Sequence, residues 1–212
     1  MIKLHFIYGI LGGLAALLSA AAWAFGSILF QKLGDEVSPT GMNLGKGIIG
    51  ILYLGIALLL IEVEPVDYHT FIFIGISGLL GIALGDTFFF KALMDLGAKT
   101  TLLLGTLGPV FTVVLSVIFL HEKPSISGWL GISLTVGGVT WVMSKNSPVE
   151  RMKKNWTSGI KYSLLSSLCI SIGIIFAKAG ISSISAMQAA LIRFLFSVIG
   201  LAIYGMANHQ LS

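Results

Sequence analysis

Six charged side chains lie inside the apolar runs of this sequence or at their ends. They are Lys46, Asp86, Lys91, Glu122, Lys178 and Arg193. An ionisable group surrounded by apolar sequence is costly to keep, so it indicates a role in binding or moving ions and small molecules. A carboxylate can carry a proton, whereas an arginine can hold an anionic group through two hydrogen bonds. These residues therefore suggest ion and solute chemistry.

The elements that must position these residues are long apolar helices. The chain has 212 residues, of which 56% are hydrophobic and 10% are charged. A soluble domain has about 25% charged residues, so lipid must be the solvent for most of this chain. Spanning a bilayer takes about 20 apolar residues per helix. Seven such runs are present, at 8–32, 41–62, 70–94, 99–120, 126–144, 159–179 and 186–206. Because the runs are continuous, they predict an all-α polytopic membrane protein and not a barrel.

Lys46 and Asp86 are both nearer to the same side of the membrane, the side that the chain reaches after the first helix. Lys46 lies about five residues from that side and Asp86 about nine, which gives depths of roughly 7 and 13 Å at the helical rise per residue. A lysine side chain can reach across that difference. We predict a Lys46–Asp86 pair that faces the bundle interior. The pair either belongs to a substrate or ion pathway or only neutralises two buried charges.

Arg193 is the repeat counterpart of Lys46. A shift of the chain by 147 positions places Lys46 on Arg193 and Gly26 on Gly173. The repeated unit is five helices long, so the second copy is inverted, as is typical of secondary transporters. Two cations that approach one cavity from opposite sides suit amino acids or organic anions better than lipophilic cations. The alternative is that Arg193 snorkels or pairs with an acid in another helix.

A proline interrupts the fourth run. Pro109 removes the helical hydrogen bond to the carbonyl of Gly105 and kinks the helix, and Gly108 makes the bend easier. The sequence therefore predicts a helix hinge that lines the pathway, although a kink is also an ordinary packing device. The run ends at Glu122, which we expect to lie at the membrane interface and to cap or anchor the fifth helix.

Four segments together resemble one family. They are ALLSAAAWAFGSILFQK (16–32), SPTGMNLGK (38–46), ALGDTFFFKAL (83–93) and LGPVFTVVLSVIFLHEKPSISGWLGISLTVGGV (107–139). They are similar to the EamA type of the drug/metabolite transporter superfamily. The resemblance implies ten helices, two inverted repeats with alternating access between them, and export or uptake of small metabolites.

The resemblance also implies a domain organisation. Residues 8–145 correspond to the first five-helix unit, 146–158 to a basic linker, and 159–212 to the first two helices of a second unit. We expect the sequence to be a fragment of a longer protein, or else to complete itself by association, for example as a homodimer.

Trp23 marks a departure from the small multidrug relatives in this superfamily. Those relatives carry an essential glutamate in the first helix, and the matching place here, three residues before Gly26, is Trp23. The chemistry of one carboxylate shared by a proton and a drug cation is therefore absent at that place. Trp23 either stacks on a substrate or is simply packed.

The sequence contains no pattern that indicates an enzyme or a cofactor. No GxSxG, Walker or HExxH motif is present, and the four histidines lack metal-ligand spacing. The net charge of +4 does not indicate nucleic-acid binding, because most basic residues flank apolar runs. We expect a gradient-driven secondary transporter whose partners are the lipid bilayer and a small-molecule substrate. The alternative is a non-transporting membrane protein such as a sensor or an assembly subunit.

The charge distribution and the family resemblance predict opposite orientations in the membrane. The links after the first, third and fifth helices carry the basic residues, which places the N-terminus outside by the positive-inside rule. The family resemblance implies a cytoplasmic N-terminus. Under either orientation we expect the protein in the plasma membrane or the bacterial inner membrane.

Overall fold

The structure is a computed structural model that describes residues 2–61, 63–145, 155–181 and 184–208. Within these ranges, seven helices are long and apolar enough to cross a membrane and no strand is present. We number them spans 1 to 7: Ile2–Leu33, Pro39–Leu58, Tyr68–Leu96, Ala98–Phe119, Ile126–Ser144, Trp156–Gly180 and Ala186–Asn208. The prediction of an all-α polytopic membrane protein with about seven transmembrane helices is confirmed.

Polar residues in the links begin four of the spans: Ser38, Asp67, Ser125 and Ser185 precede spans 2, 3, 5 and 7. The Gly41 N–H donates to Ser38 Oγ at 3.1 Å at the start of span 2, where Pro39 takes the first helical position. The Thr70 N–H donates to Asp67 Oδ2 at 3.0 Å at the start of span 3. This bond holds the pKa of the Asp67 carboxyl below its usual value. Such caps satisfy N–H groups that a helix leaves without partners.

Span 6 is the central helix of the bundle. It packs along the whole of span 3 and against span 4, while span 7 packs against spans 2 and 3. Span 1 contacts spans 3 and 4 through its second half, where Gln31 Oε1 accepts a hydrogen bond from the Ala98 N–H at 2.7 Å. Gly97, which precedes Ala98, has φ +85°, a conformation that favours glycine, and it makes the sharp turn between spans 3 and 4.

Glycines allow span 3 to approach spans 6 and 7 closely. A Cβ atom added to Gly173 would lie 2.9 Å from the Cα of Gly81, and one added to Gly78 would lie 2.3 Å from the Arg193 carbonyl oxygen. Both distances are shorter than real carbon contacts, so no larger residue fits without moving a backbone. Small residues are the usual means by which helices pack in lipid, where no hydrophobic effect drives them together.

Two spans depart from regular α-helix. Span 3 contains a π-helical turn at Leu79–Leu84, between α-helical segments Tyr68–Gly78 and Gly85–Leu96. Span 4 is broken into Ala98–Gly105 and Gly108–Phe119.

Most of the predicted basic linker lies outside the described residues, which resume at 155. The division at 145 and 159 into repeat units stays a prediction.

The glycine contacts give a direct test of the packing between spans 3 and 7. We expect Gly78→Ala to lower the free energy of unfolding in detergent by roughly 1–3 kcal/mol, because the added methyl meets a backbone carbonyl that cannot move aside. Gly137→Ala is the matched control, since a Cβ at Gly137 has no neighbour within 4 Å. Thermal unfolding followed by circular dichroism measures both, and equal midpoints for the two variants would contradict the packing account.

Candidate functional site

A cavity of about 790 Å³ lies between spans 1, 3, 4, 5 and 6. Small-molecule sites have volumes of roughly 300–1,000 Å³. Among the described residues, none of the side chains that line the cavity is charged. Seven of them carry a hydroxyl group: Thr106, Thr112, Thr135, Ser163, Ser166, Ser167 and Ser171. The cavity is therefore a neutral, hydroxyl-bearing cleft between the spans, open at the edge where Thr106 and Pro109 are exposed.

Span 6 supplies most of the hydroxyl groups. Ser163, Ser167 and Ser171 are spaced four residues apart, so they share one face of the helix, and Ser166 lies beside them. All four residues are buried in the bundle. Within the described part of the chain, the hydroxyls of Ser163, Ser166 and Ser167 make no hydrogen bond. These three groups can therefore bind a solute or water in the cavity.

The break in span 4 forms the facing wall. Residues 106–107 make a turn, and the helix restarts at Gly108 with Pro109 as its second residue. The Ser171 hydroxyl lies 2.9 Å from the Gly108 carbonyl oxygen and 3.0 Å from the Thr112 hydroxyl. The predicted interruption at Pro109 is present, and a polar network ties it to span 6. Movement about this break stays a prediction.

Two aromatic side chains line another side of the cavity. The rings of Trp23 on span 1 and Phe89 on span 3 have centroids 5.3 Å apart, and both line the cavity. Trp23 keeps 45% of its surface exposed. It is thus placed where it can stack on a solute, and that role stays a prediction.

The charged residues lie apart from this lining. Lys46 Nζ and Asp86 Oδ2 form an ion pair, with side chains 18% and 12% exposed. The Lys46 ammonium also lies 5.6 Å from the ring centroid of Phe90 and 6.0 Å from that of Phe194. The pairing expected from depth is therefore present, whereas neither Lys46 nor Asp86 lines the cavity. Their part in a pathway stays a prediction.

Arg193 is close to the same region but has no ion-pair partner among the described residues. Its Nη2 atom lies 3.1 Å from the place of a Cβ on Gly81, and its buried Nε atom has no hydrogen-bond partner there. Lys46, Asp86 and Arg193 together carry one positive charge in excess. Arg193 does not line the cavity, so the structure does not bring Lys46 and Arg193 to it from opposite sides.

Glu122 lies in the link between spans 4 and 5. It pairs with Lys178 at the end of span 6, and the two side chains are 43% and 55% exposed. The hydrogen bond from Lys178 holds the pKa of the Glu122 carboxyl below its ordinary value. Span 5 is capped by Ser125, whose Oγ accepts from the Gly128 N–H at 3.2 Å. Ser125, and not Glu122, therefore supplies the N-cap of span 5, while Glu122 ties the link to span 6. The expected role of Glu122 as an anchor at the membrane interface stays a prediction.

Metal-binding side chains do not converge in the described residues. No three His, Cys, Asp or Glu side chains there lie close enough to hold a metal ion.

The hydroxyl groups of span 6 were not among the predicted site residues, most of which were charged. The serine spacing of four in span 6 was the available signal, because a polar stripe on an apolar helix indicates a face turned away from lipid.

A sequence profile described as the EamA-like transporter family matches residues 10–144, well over half of the chain. The chain belongs to the EamA-like transporter family. This match confirms the resemblance drawn from the four sequence segments. With its seven spans, the EamA-like chain is a multi-pass membrane protein.

Three relatives of this EamA-like chain carry transporter names. An uncharacterized transporter of Archaeoglobus fulgidus is 25% identical over 163 residues, covering 76% of this chain and 56% of that protein. UDP-galactose transporter homolog 1 of Yarrowia lipolytica is 25% identical over 166 residues, which cover 71% of this chain and 42% of that protein. Uncharacterized transporter YvbV of Bacillus subtilis is 31% identical over 140 residues, covering 65% and 46%. The chain spans about half the length of these curated relatives. No solved structure matches it.

The two ion pairs among the described residues of this EamA-like chain should differ sharply in their contribution to stability. We expect Lys46→Met to lower the free energy of unfolding by about 3–5 kcal/mol, because it leaves the Asp86 carboxylate buried without its partner. Lys178→Met is the matched control and should change stability little, since exposed pairs are screened by solvent. Chemical denaturation in detergent micelles measures both, and a Lys46→Met variant as stable as Lys178→Met would rule out a buried pair.

Proposed function

We propose that this chain forms part of a secondary transporter that moves small polar metabolites across a membrane. The observation that carries the proposal is the neutral cavity, which hydroxyl groups and two aromatic rings line within the spans. Membership of the EamA-like transporter family and the transporter names of three relatives support it.

We infer that the substrates are amino acids or organic anions. A hydroxyl group donates a hydrogen bond to a carboxylate and accepts one from an ammonium group, so the serines of span 6 suit both ends of an amino acid. The lining carries no carboxylate that would attract a lipophilic cation. The excess positive charge near Arg193 favours solutes with an anionic group. Nucleotide sugars belong in the same trial, since one relative is named as a UDP-galactose transporter homolog.

The proposed mechanism is alternating access between two inverted repeats. The break at Gly105, Gly108 and Pro109 serves as the hinge beside the cavity, because a helix interrupted by proline bends there most easily. Asp86 carries the coupling proton. Lys46 pairs with the Asp86 carboxylate when the proton is absent and loses this partner when the carboxylate is protonated. We place the protein in the plasma or inner membrane, either within a longer chain or as a homodimer.

A flux measurement separates transport from the alternative of a sensor or assembly subunit. Protein expressed from its complete reading frame is placed in liposomes, and uptake of radiolabelled amino acids, dicarboxylates and nucleotide sugars is followed. Uptake above that of empty liposomes supports transport. Tight solute binding with no flux at any gradient supports a sensor.

The cavity serines provide the first variant test. We expect Ser167→Ala to raise the KM for uptake about tenfold, which corresponds to one lost hydrogen bond to a charged group. Ser133→Ala on the exposed face of span 5 is the control and should leave KM unchanged. If the single variants Ser163→Ala, Ser166→Ala and Ser167→Ala all leave KM unchanged, the cavity is not the substrate site.

The coupling proposal needs a variant that still folds. We expect the double variant Lys46→Met with Asp86→Asn to fold, because both charges of the buried pair are removed together. It should lose uptake driven by a pH gradient and keep exchange of labelled for unlabelled substrate. Both activities are measured in the same liposomes, and pH-driven uptake at the wild-type rate would exclude Asp86 as the proton carrier.

A further inference from the structure

The π-helical turn of span 3 lies directly before Asp86. It covers Leu79–Leu84, and the α-helix resumes at Gly85. A π-turn accommodates one extra residue and lengthens the hydrogen-bonding pattern, so it leaves carbonyl groups poorly paired. Inside a bilayer such groups need a partner from the protein, because lipid offers none.

Asn43 on span 2 is that partner. Its side chain is fully buried. Its Nδ2 atom lies 2.8 Å from the Ile82 carbonyl oxygen and 3.2 Å from that of Ala83. It also lies 3.0 Å from Thr87 Oγ1, which donates to the Ala83 carbonyl at 2.6 Å. The amide group of Asn43 therefore holds the end of the π-turn and the first turn of the α-helix after it.

The π-turn decides which way the second half of span 3 faces. Each residue of an α-helix turns the chain by about 100°, so one extra residue rotates everything beyond it by that amount relative to a regular helix. Before the turn, Phe71 meets Phe196 on span 7. After it, Asp86 meets Lys46 and Phe89 lines the cavity. A regular α-helix of the same length could not make the Phe71 contact before the turn and also direct Asp86 and Phe89 to their partners after it.

Asn43 and Lys46 act from one face of span 2. They are three residues apart, which places them on neighbouring turns of the same side. Asn43 contacts Thr87, and Lys46 contacts the adjacent Asp86. The residue that holds the π-turn is thus built into the helix that carries the partner of Asp86.

We propose that Asn43 is a positioning residue: by pairing the carbonyl groups of the π-turn, it sets the face on which span 3 presents Asp86 to Lys46 and Phe89 to the cavity. Asn43 does not line the cavity, and it acts through the backbone of span 3. The facing of span 3 is independent of the proposed transport function, and only the consequence for uptake rests on that function.

Cross-linking tests the facing of span 3 without any transport assay. In a Cys169→Ser background, one cysteine pair replaces Trp23 and Phe89, beyond the π-turn, and a second replaces Phe71 and Phe196, before it. The ring centroids of these pairs lie 5.3 and 5.1 Å apart, so the control is closely matched. A bifunctional thiol reagent is added in detergent, and mass spectrometry measures the intramolecular product.

We expect Asn43→Leu to reduce the 23/89 product about tenfold or more and to leave the 71/196 product unchanged. Deletion of Ile82 in the same variant should restore the 23/89 product, because a helix one residue shorter is regular and needs no amide partner. An unchanged 23/89 product, an equal loss of both products, or no restoration by the deletion overturns the proposal. If Asn43→Leu does not fold, the deletion is made with Asn43 in place. Retention of the 23/89 product supports the proposal. Loss of the 23/89 product while the 71/196 product is kept overturns it.

Transport then reports the functional consequence. Asn43→Leu should lose pH-driven uptake while it keeps substrate exchange, as expected for the Lys46→Met, Asp86→Asn variant, and the deletion should restore uptake. If the wild-type protein itself shows no flux, the proposed function fails while the cross-links still decide the role of Asn43. If wild-type uptake is present and Asn43→Leu leaves it unchanged, the link between facing and coupling is wrong.

Discussion

The ion pair between Lys46 and Asp86 is the interaction around which the described spans are arranged. Two charges within an apolar bundle are tolerated only when each has a partner and the groups around them are satisfied. The pair fixes span 2 against the second half of span 3. That contact requires Asp86 to face span 2, which in turn requires the π-turn at Leu79–Leu84 and the amide of Asn43 that holds it. Glycines at 78 and 81 then allow span 7 to bring Arg193 alongside.

Span 3 serves two polar regions of different character. Asp86 belongs to the charged region shared with spans 2 and 7, whereas Phe89, three residues later, belongs to the wall of the neutral cavity. A small rotation of this helix therefore affects both regions at once. A change of charge at Asp86 that rotates span 3 would therefore also move Phe89 in the cavity wall, with no direct contact between ion and solute.

Both irregular backbone segments lie where neighbouring side chains can satisfy them. Asn43 pairs with the π-turn, and Ser171 with the restart of span 4 at Gly108. Non-helical backbone at membrane depth is stable only where protein or a cavity surrounds it, since lipid cannot supply hydrogen bonds. The polar residues of spans 2 and 6 thus stabilise the irregular backbone of spans 3 and 4, in addition to any contact with a solute.

The fold class, the approximate span limits, the interruption at Pro109 and the Lys46–Asp86 pairing could all be predicted from the amino-acid order. Hydropathy, proline chemistry and depth along a helix are properties of position along the chain, so they can be read in one dimension. Three features could be seen only in the folded chain: Glu122 pairs with Lys178 while Ser125 caps span 5, the serines of span 6 face a cavity, and Arg193 lies outside that cavity. These outcomes depend on the rotation of each helix about its axis. A single extra residue in the π-turn changes that rotation by about 100°, which neither composition nor depth reveals.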